Sequence, residues 1–341
     1  MKAVAVAHPN IALAKYWGKR PEGHNLPAVP SLSVTLAGMT TRTEVIFDGG
    51  TEDRLHLDGA PVAGRAVARV GQLLDLVWDE ARRSGVRPRA AVRSENDFPT
   101  AAGLASSASA FAALATAADA ALATELSASR LSCLARRVSA SAGRSLFGGF
   151  VILPAGTDGQ AQLPAEPLAG PDHWNLRLVV AVTTEAKKEV GSTEGMQHTA
   201  ATSPLYRAWL EGAPKLYERV REAVLARDLD ALGPALEASA LAMHATAMAA
   251  DPGLLYWNDV TMRTLHAVRR SRANGGPAAF FTIDAGPHVK VLCAVSDVDA
   301  VRSMVGAIPG VTRVIVAAPG PGAHVVVDRP STEAPSSGSR G

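Results

Sequence analysis

A chain of 341 residues with 47% hydrophobic composition is long and apolar enough to build the cores of two ordinary domains. Its 34 basic and 32 acidic residues nearly cancel to a formal charge of +2, and without a run of five or six like charges no nucleic-acid or membrane-binding arm is expected. Cys133 and Cys293 lie far apart and without metal-ligand spacing, which excludes a disulfide framework and a zinc site and fits a reducing, cytoplasmic setting.

In chain order, MKAVAVAHPN opens with a short apolar stretch that His8, Pro9 and Asn10 interrupt before a signal-peptide core forms, so it reads as a strand. AVAVA at 3–7, SLSVTL at 31–36 and TRTEVIF at 41–47 predict an antiparallel sheet. Helical spacing follows at 65–84, 106–123 and 128–140, with strand signals at 89–94, 150–154 and 176–184. Beyond a boundary placed near 185, helices are predicted at 205–227, 229–250 and 258–273, and strands at 278–284 and 289–295. No window of 18 apolar residues predicts a membrane span. Residues 328–341 (DRPSTEAPSSGSRG) have the composition of a disordered tail. The division is thus 1–185, 186–327 and a tail, in an α+β class, because strands and helices alternate too irregularly for a doubly wound sheet.

The segment SENDFPTAAGLASSASAFAALATAA, from Ser94, carries the most chemistry. Pro99 ends an extended run, Gly103 permits a tight turn, and Ser106 and Ser107 stand where a helix begins. Free N–H groups and partial positive charge at a helix start attract phosphate, and small residues let the backbone approach it. A capped helix start of no further consequence explains the same residues equally well. Neither Gly-Lys-Ser/Thr nor G-x-G-x-x-G is present in this segment, which disfavours P-loop and dinucleotide folds.

The string PTAAGLASSA resembles the phosphate loop of the GHMP kinase superfamily. With AHPNIALAKYWGKR at 7–20, SLSVTL at 31–36, SASAGRSLFGGF at 139–150, STEGM at 192–196, MHAT at 243–246 and FTIDAGP at 281–287, the chain resembles the diphosphomevalonate decarboxylase family from about residue 7 to 317. The resemblance implies a two-domain GHMP-kinase-like fold, S5-domain-2-like then ferredoxin-like, with the active site in the cleft between them. It implies ATP and Mg²⁺ as cofactors, mevalonate 5-diphosphate as substrate, and a homodimer. In the implied reaction ATP phosphorylates the substrate's tertiary hydroxyl, and phosphate and CO₂ then leave to give isopentenyl diphosphate.

Such a site needs cations at both ends of the substrate and a carboxylate near the hydroxyl. Lys15 and Lys19 supply point charges for a diphosphate and Tyr16 a hydroxyl donor, with Trp17 in the same pocket stretch; taken alone, the stretch also reads as a solvated basic loop with one buried Trp. Carried over from the family, Arg144 grips the substrate carboxylate with its planar fork, while Ser139, Ser141 and Ser192 hold diphosphate oxygens. Thr193 follows in the same segment, after Lys187 and Lys188. The nucleotide contacts implied are Ser94, Asn96, Gly103, Leu104, Ala105, Ser106 and Ser107, and no protein metal site is implied. Asp284, after an apolar strand and before Gly-Pro, is expected to receive or orient the hydroxyl proton, with a pKa raised by low dielectric. His288 stands where the family commonly has Asn, and His244 is expected to be structural. The alternatives are a GHMP small-molecule kinase, a decarboxylase of the monophosphate, and a non-catalytic metabolite sensor; the pairing of Arg144 with Asp284 argues against the sensor.

Overall fold

In this computed structural model residues 1–22, 25–98, 106–184, 186 and 189–326 are described, and their strands sort into two sheets according to the faces they must bury. Thr41–Phe47 alternates buried Thr41, Thr43, Val45 and Phe47 with more exposed Arg42, Glu44 and Ile46, so one face takes a helix layer and the other meets solvent. It is central in a six-stranded sheet ordered His324–Val325, Lys2–Ala7, Thr41–Phe47, Ala90–Asn96, Arg54–Leu57, Ala60–Val62. Arg65–Glu80, Ser106–Leu122 and Ala128–Val138 close over that face, where Val45, Val92, Leu73, Leu114 and Leu134 share one core. Ser106–Leu122 is alanine-rich and buried on nearly every side, which lets it lie between the sheet and its neighbouring helices with its first residues aimed at the molecule's central cleft.

Ser31–Ala37 departs from the single sheet predicted for the first strands. It joins the second sheet, pairing with Asn10–Ala14, Phe150–Leu153 and Arg313–Pro319. The reason is burial of both faces: Leu32, Val34 and Leu36 enter an apolar core, while Ser31, Ser33 and Thr35 are buried too. Buried hydroxyls need partners, and they find Arg144, the Val151 carbonyl and the Phe147 carbonyl. The polar half of the SLSVTL alternation is therefore part of the cleft's supporting framework.

The second sheet has eight strands, ordered Phe280–Ile283, Val289–Ala294, Leu176–Val182, Arg313–Pro319, Ser31–Ala37, Phe150–Leu153 and Glu166–Ala169, with Asn10–Ala14 paired beside Ser31–Ala37. Leu176–Val182 sends Leu178 and Val180 into one core, under Tyr206–Ala226 and Leu229–Met248, and Val179 and Ala181 into another, under Asp259–Ala273 and Val298–Gly306. A strand covered on both sides reads as a continuous apolar run, and each such fully buried side chain contributes about 1.5–3 kcal/mol of transfer free energy. This strand pairs with Val289–Ala294 and Arg313–Pro319, both from the C-terminal part of the chain. Arg313–Pro319 then stitches the halves together on Ser31–Ala37. Gly320 makes that approach possible, since a Cβ there would lie 2.3 Å from the Ala37 nitrogen. Among the described residues no helix is long and apolar enough to cross a membrane, and the predicted tail lies outside them.

Candidate active site

A cavity of about 530 Å³ opens between the two halves. Asn10–Ala14 delivers Lys15 to its floor, the short helix Ala142–Ser145 delivers Arg144, and the turn after Phe280–Ile283 delivers Asp284. Of the residues singled out in the sequence, Lys15, Tyr16, Trp17, Lys19, Ser106, Ser107, Ser139, Ser141, Arg144, Ser192, Thr193 and Asp284 all line this one cavity. Ser94 and Asn96 do not. The Ser94 hydroxyl is buried against that of Thr43 at 2.9 Å, and Asn96 accepts from Thr41 at 2.6 Å, so both belong to the first sheet's strand pairing. Gly103, Leu104, Ala105, Lys187 and Lys188 lie outside the described residues.

At the floor, Lys15 Nζ donates to Asp284 Oδ1 at 2.6 Å and to the Ala12 carbonyl at 2.9 Å. Lys15 is thus tied to the carboxylate rather than free to meet a diphosphate, as the sequence had suggested. A second ammonium, Lys290 Nζ, lies 3.2 Å from Asp284 Oδ2. Oδ2 is itself buried from solvent, with that ammonium beside it. Burial alone would push the Asp284 carboxyl up, but Lys15 and Lys290 outweigh it and hold the group well below the usual carboxylate range. This reverses the expected raised pKa: the apolar strand places the carboxyl in low dielectric, but beside two cations that favour its charged form. Lys15 is pushed down to about 8 by burial, against the pull of Asp284.

Arg144 is 4% exposed. Its Nε donates to Asn10 Oδ1 at 3.0 Å and its Nη1 to the Ser31 hydroxyl at 2.8 Å. Asn10 in turn donates to the Ser141 carbonyl at 3.0 Å and the Ser145 hydroxyl at 2.8 Å, so Arg144 is braced from two strands. These bonds use two of the guanidinium nitrogens and leave Nη2 for whatever occupies the cavity. Burial lowers the Arg144 pKa to about 10, which keeps the group cationic at neutral pH. Ser139 and Ser141 stand beside it, hydroxyls 3.4 Å apart.

The outer wall is built around Lys19. Its Nζ reaches Asn25 Oδ1 at 2.5 Å and the Thr193 hydroxyl at 2.9 Å, joining the segment after Lys15 to the helix Ser192–Thr202. That helix went unpredicted because STEGM was read as a loop; its N-cap is Gly191, which offers no side-chain cap. Burial first, then Arg69 and Arg65, lower the Lys19 pKa to about 8. Arg65 and Arg69, one turn apart on Arg65–Glu80, also line the cavity, as does Asn10, and none of these three was singled out in the sequence. Among the described residues five cations therefore line the cavity with Asp284 and Glu194, a balance suited to a polyanion. The Tyr16 hydroxyl is buried without a hydrogen-bond partner.

His288 does not brace Asp284. It is fully buried, and its Nδ1 accepts from the Thr183 backbone N–H at 3.1 Å; burial, then Lys290, push its pKa down to about 3. His244 is structural as expected, with Nε2 3.3 Å from the Ile283 carbonyl and its ring 4.9 Å from Trp257.

A family model for the diphosphomevalonate decarboxylase-like N-terminal domain matches residues 7–163, and one for the mevalonate 5-diphosphate decarboxylase C-terminal domain matches residues 178–320. The chain belongs to the diphosphomevalonate decarboxylase family. The diphosphomevalonate decarboxylase of Candida albicans is 35% identical over 356 residues, covering 94% of this chain and 97% of the relative. That of Homo sapiens is 37% identical over 311 residues, covering 85% and 76%. Among solved structures, mevalonate diphosphate decarboxylase from Staphylococcus aureus superposes with a TM-score of 0.88 at 34% identity, over 96% of this chain and 98% of that one. MDDEF in complex with MVAPP, AMPPCP and magnesium does so with a TM-score of 0.87 at 38% identity, over 96% and 99%. The two-domain α+β architecture expected from the sequence is thus that of the diphosphomevalonate decarboxylase family.

Proposed function

We propose that this protein catalyses the ATP-dependent decarboxylation of mevalonate 5-diphosphate to isopentenyl diphosphate, with ADP, phosphate and CO₂ as the other products. The observation that carries the reading is the juxtaposition, in one cation-lined cleft, of a braced guanidinium and a carboxylate that two lysines hold ionised. Arg144 takes the substrate carboxylate through its remaining edge. The Asp284 carboxylate accepts a hydrogen bond from the tertiary hydroxyl and receives its proton. Lys19, Arg65, Ser139, Ser141 and Ser192 hold the diphosphate, with the Tyr16 hydroxyl as a further donor and Trp17 as apolar wall.

Mg-ATP supplies the phosphoryl group that converts the hydroxyl into a leaving group. Ser106 and Ser107, at the start of Ser106–Leu122, fit the triphosphate, and the Ser107 hydroxyl fits the metal. Mg²⁺ arrives with the nucleotide, as it accompanies the ATP analogue in the complex of MDDEF. Phosphoryl transfer rests mainly on positioning and charge stabilisation, so a carboxylate of low basicity suffices if Lys15 fixes it against the hydroxyl. With Arg144 neutralising the carboxylate until the C1–C2 bond breaks, its electron pair forms the alkene as phosphate departs. The relatives' names and the complex with MVAPP and AMPPCP support the same reading.

We place the enzyme in the cytoplasm, which suits two buried free cysteines, and as a homodimer, which light scattering on the purified protein tests. For the reaction, the protein is incubated with Mg-ATP and either mevalonate 5-phosphate or 5-diphosphate while ADP, phosphate and CO₂ are measured together. Equal yields of all three from the diphosphate support the proposal. ADP without CO₂ indicates a kinase, and turnover of the monophosphate alone indicates the shorter substrate.

A further inference from the structure

Lys290 is the oddity of the C-terminal sheet. It sits within Val289–Ala294, paired across to Val180 on one side and Thr282 on the other, and its side chain is 1% exposed. Its sheet face is the one that sends Leu292 into an apolar core. A lysine there is costly unless a partner compensates its charge, and a methionine would serve the core better. Its charged partner is Asp284, whose Oδ2 lies 3.2 Å from Lys290 Nζ, and the same ammonium donates to the His288 carbonyl at 3.3 Å. Lys15, also 1% exposed, holds the other oxygen at 2.6 Å. The carboxylate is therefore gripped from two directions, by one cation from Asn10–Ala14 of the first half and one from the strand that follows its own turn.

We propose that Lys290 is a positioning residue for the decarboxylation: it holds the Asp284 carboxylate by Oδ2 while Lys15 anchors Oδ1, fixing the group at the edge of the cleft. The inference rests on the reaction proposed above. Its logic is geometric. A single lysine would leave the carboxylate free to pivot about one bond, whereas a second ammonium on the far oxygen defines its plane. Oδ2 is buried beside that ammonium, so Lys290 holds the carboxylate from the protein side, whereas Asp284 as a whole still lines the cavity. The other charged or titratable groups around the carboxylate are Arg144, from Ala142–Ser145, and His244, from Leu229–Met248. His244 is held neutral by burial and Arg144 is committed to Asn10 and Ser31, so Lys290 and Lys15 set the carboxylate's state.

The test is Lys290→Met, nearly isosteric and uncharged, compared with Lys290→Arg. Isotope-edited infrared spectra of aspartate-labelled protein, with Asp284→Asn to assign the band, report the protonation midpoint of Asp284 without turnover. Losing one close cation should raise that midpoint by about 1 to 3 pH units, and kcat should fall 10-fold or more while KM changes little. Lys290→Arg should keep the midpoint near that of the wild type. An unshifted midpoint in folded Lys290→Met would overturn the proposal, and failure of both variants to fold would assign Lys290 to the sheet instead. Since the midpoint is read without substrate, an enzyme inactive on mevalonate 5-diphosphate would refute the reaction and leave this result standing.

Discussion

Substituting Arg144 by lysine keeps one positive charge and removes the planar fork. On an exposed turn, as the serine-rich sequence around it suggests, the change would leave stability untouched. Here the guanidinium is 4% exposed and serves two buried acceptors, Asn10 Oδ1 and the Ser31 hydroxyl. A lysine ammonium can restore at most one of those bonds, so one buried acceptor loses its donor at about 1 to 3 kcal/mol. The urea midpoint should fall accordingly, at an unchanged slope. Function should suffer separately. Losing one charge-assisted bond to the substrate carboxylate, about 1.5–3 kcal/mol, lowers kcat/KM roughly 10- to 150-fold. Unfolding in urea and steady-state kinetics on mevalonate 5-diphosphate, both on the folded fraction, separate the two effects. A folded variant with wild-type kcat/KM would refute the placement of Arg144 against the substrate.

Tyr16→Phe removes a hydroxyl that is buried without a partner, so the free protein should melt no lower than wild type, while calorimetric binding of mevalonate 5-diphosphate should weaken roughly 10-fold; a less stable protein with unchanged affinity would make the hydroxyl structural. Lys15 has its pKa pushed down to about 8 from 10.5, so turnover should fall as pH rises through about 8 and Asp284 loses its anchor. The stability term has the opposite sign: the penalty for burying charged Lys15 is fully present below about 8 and is relieved between about 8 and 10.5. Paired pH–rate and pH–stability profiles of wild type and Lys15→Met check this, and an alkaline loss of activity shared by both proteins would count against Lys15.

Much of the site was legible because cavity-lining residues sit in short local strings: AKYWGK, SASAGRS and FTIDAGP each carry residues that the fold brings together. What escaped depends on long-range placement. Lys290 lies in VKVLCA, which reads as an apolar strand whose single lysine could face solvent; the signal was its neighbour spacing, since Leu292 two residues on shares its face. Arg65 and Arg69 look like the solvated side of an amphipathic helix until that helix is docked at the cleft. Ser94 and Asn96, close in sequence to the phosphate loop, have their side chains bonded to Thr43 and Thr41 of the neighbouring strand. The sign of the Asp284 shift was lost for the same reason as Lys290: burial is visible in an apolar strand, but two lysines 269 and 6 residues away are not.

The central claim is that Asp284, fixed by its lysines, acts on the substrate hydroxyl. Single-turnover mixing of enzyme, Mg-ATP and mevalonate 5-diphosphate, quenched and analysed for ADP and CO₂, compares wild type with Asp284→Asn. Both products should slow together by about 10²–10⁴, because phosphorylation of the hydroxyl precedes and permits loss of CO₂, while equilibrium binding of both ligands persists. ADP formed at the wild-type rate by Asp284→Asn would contradict the claim.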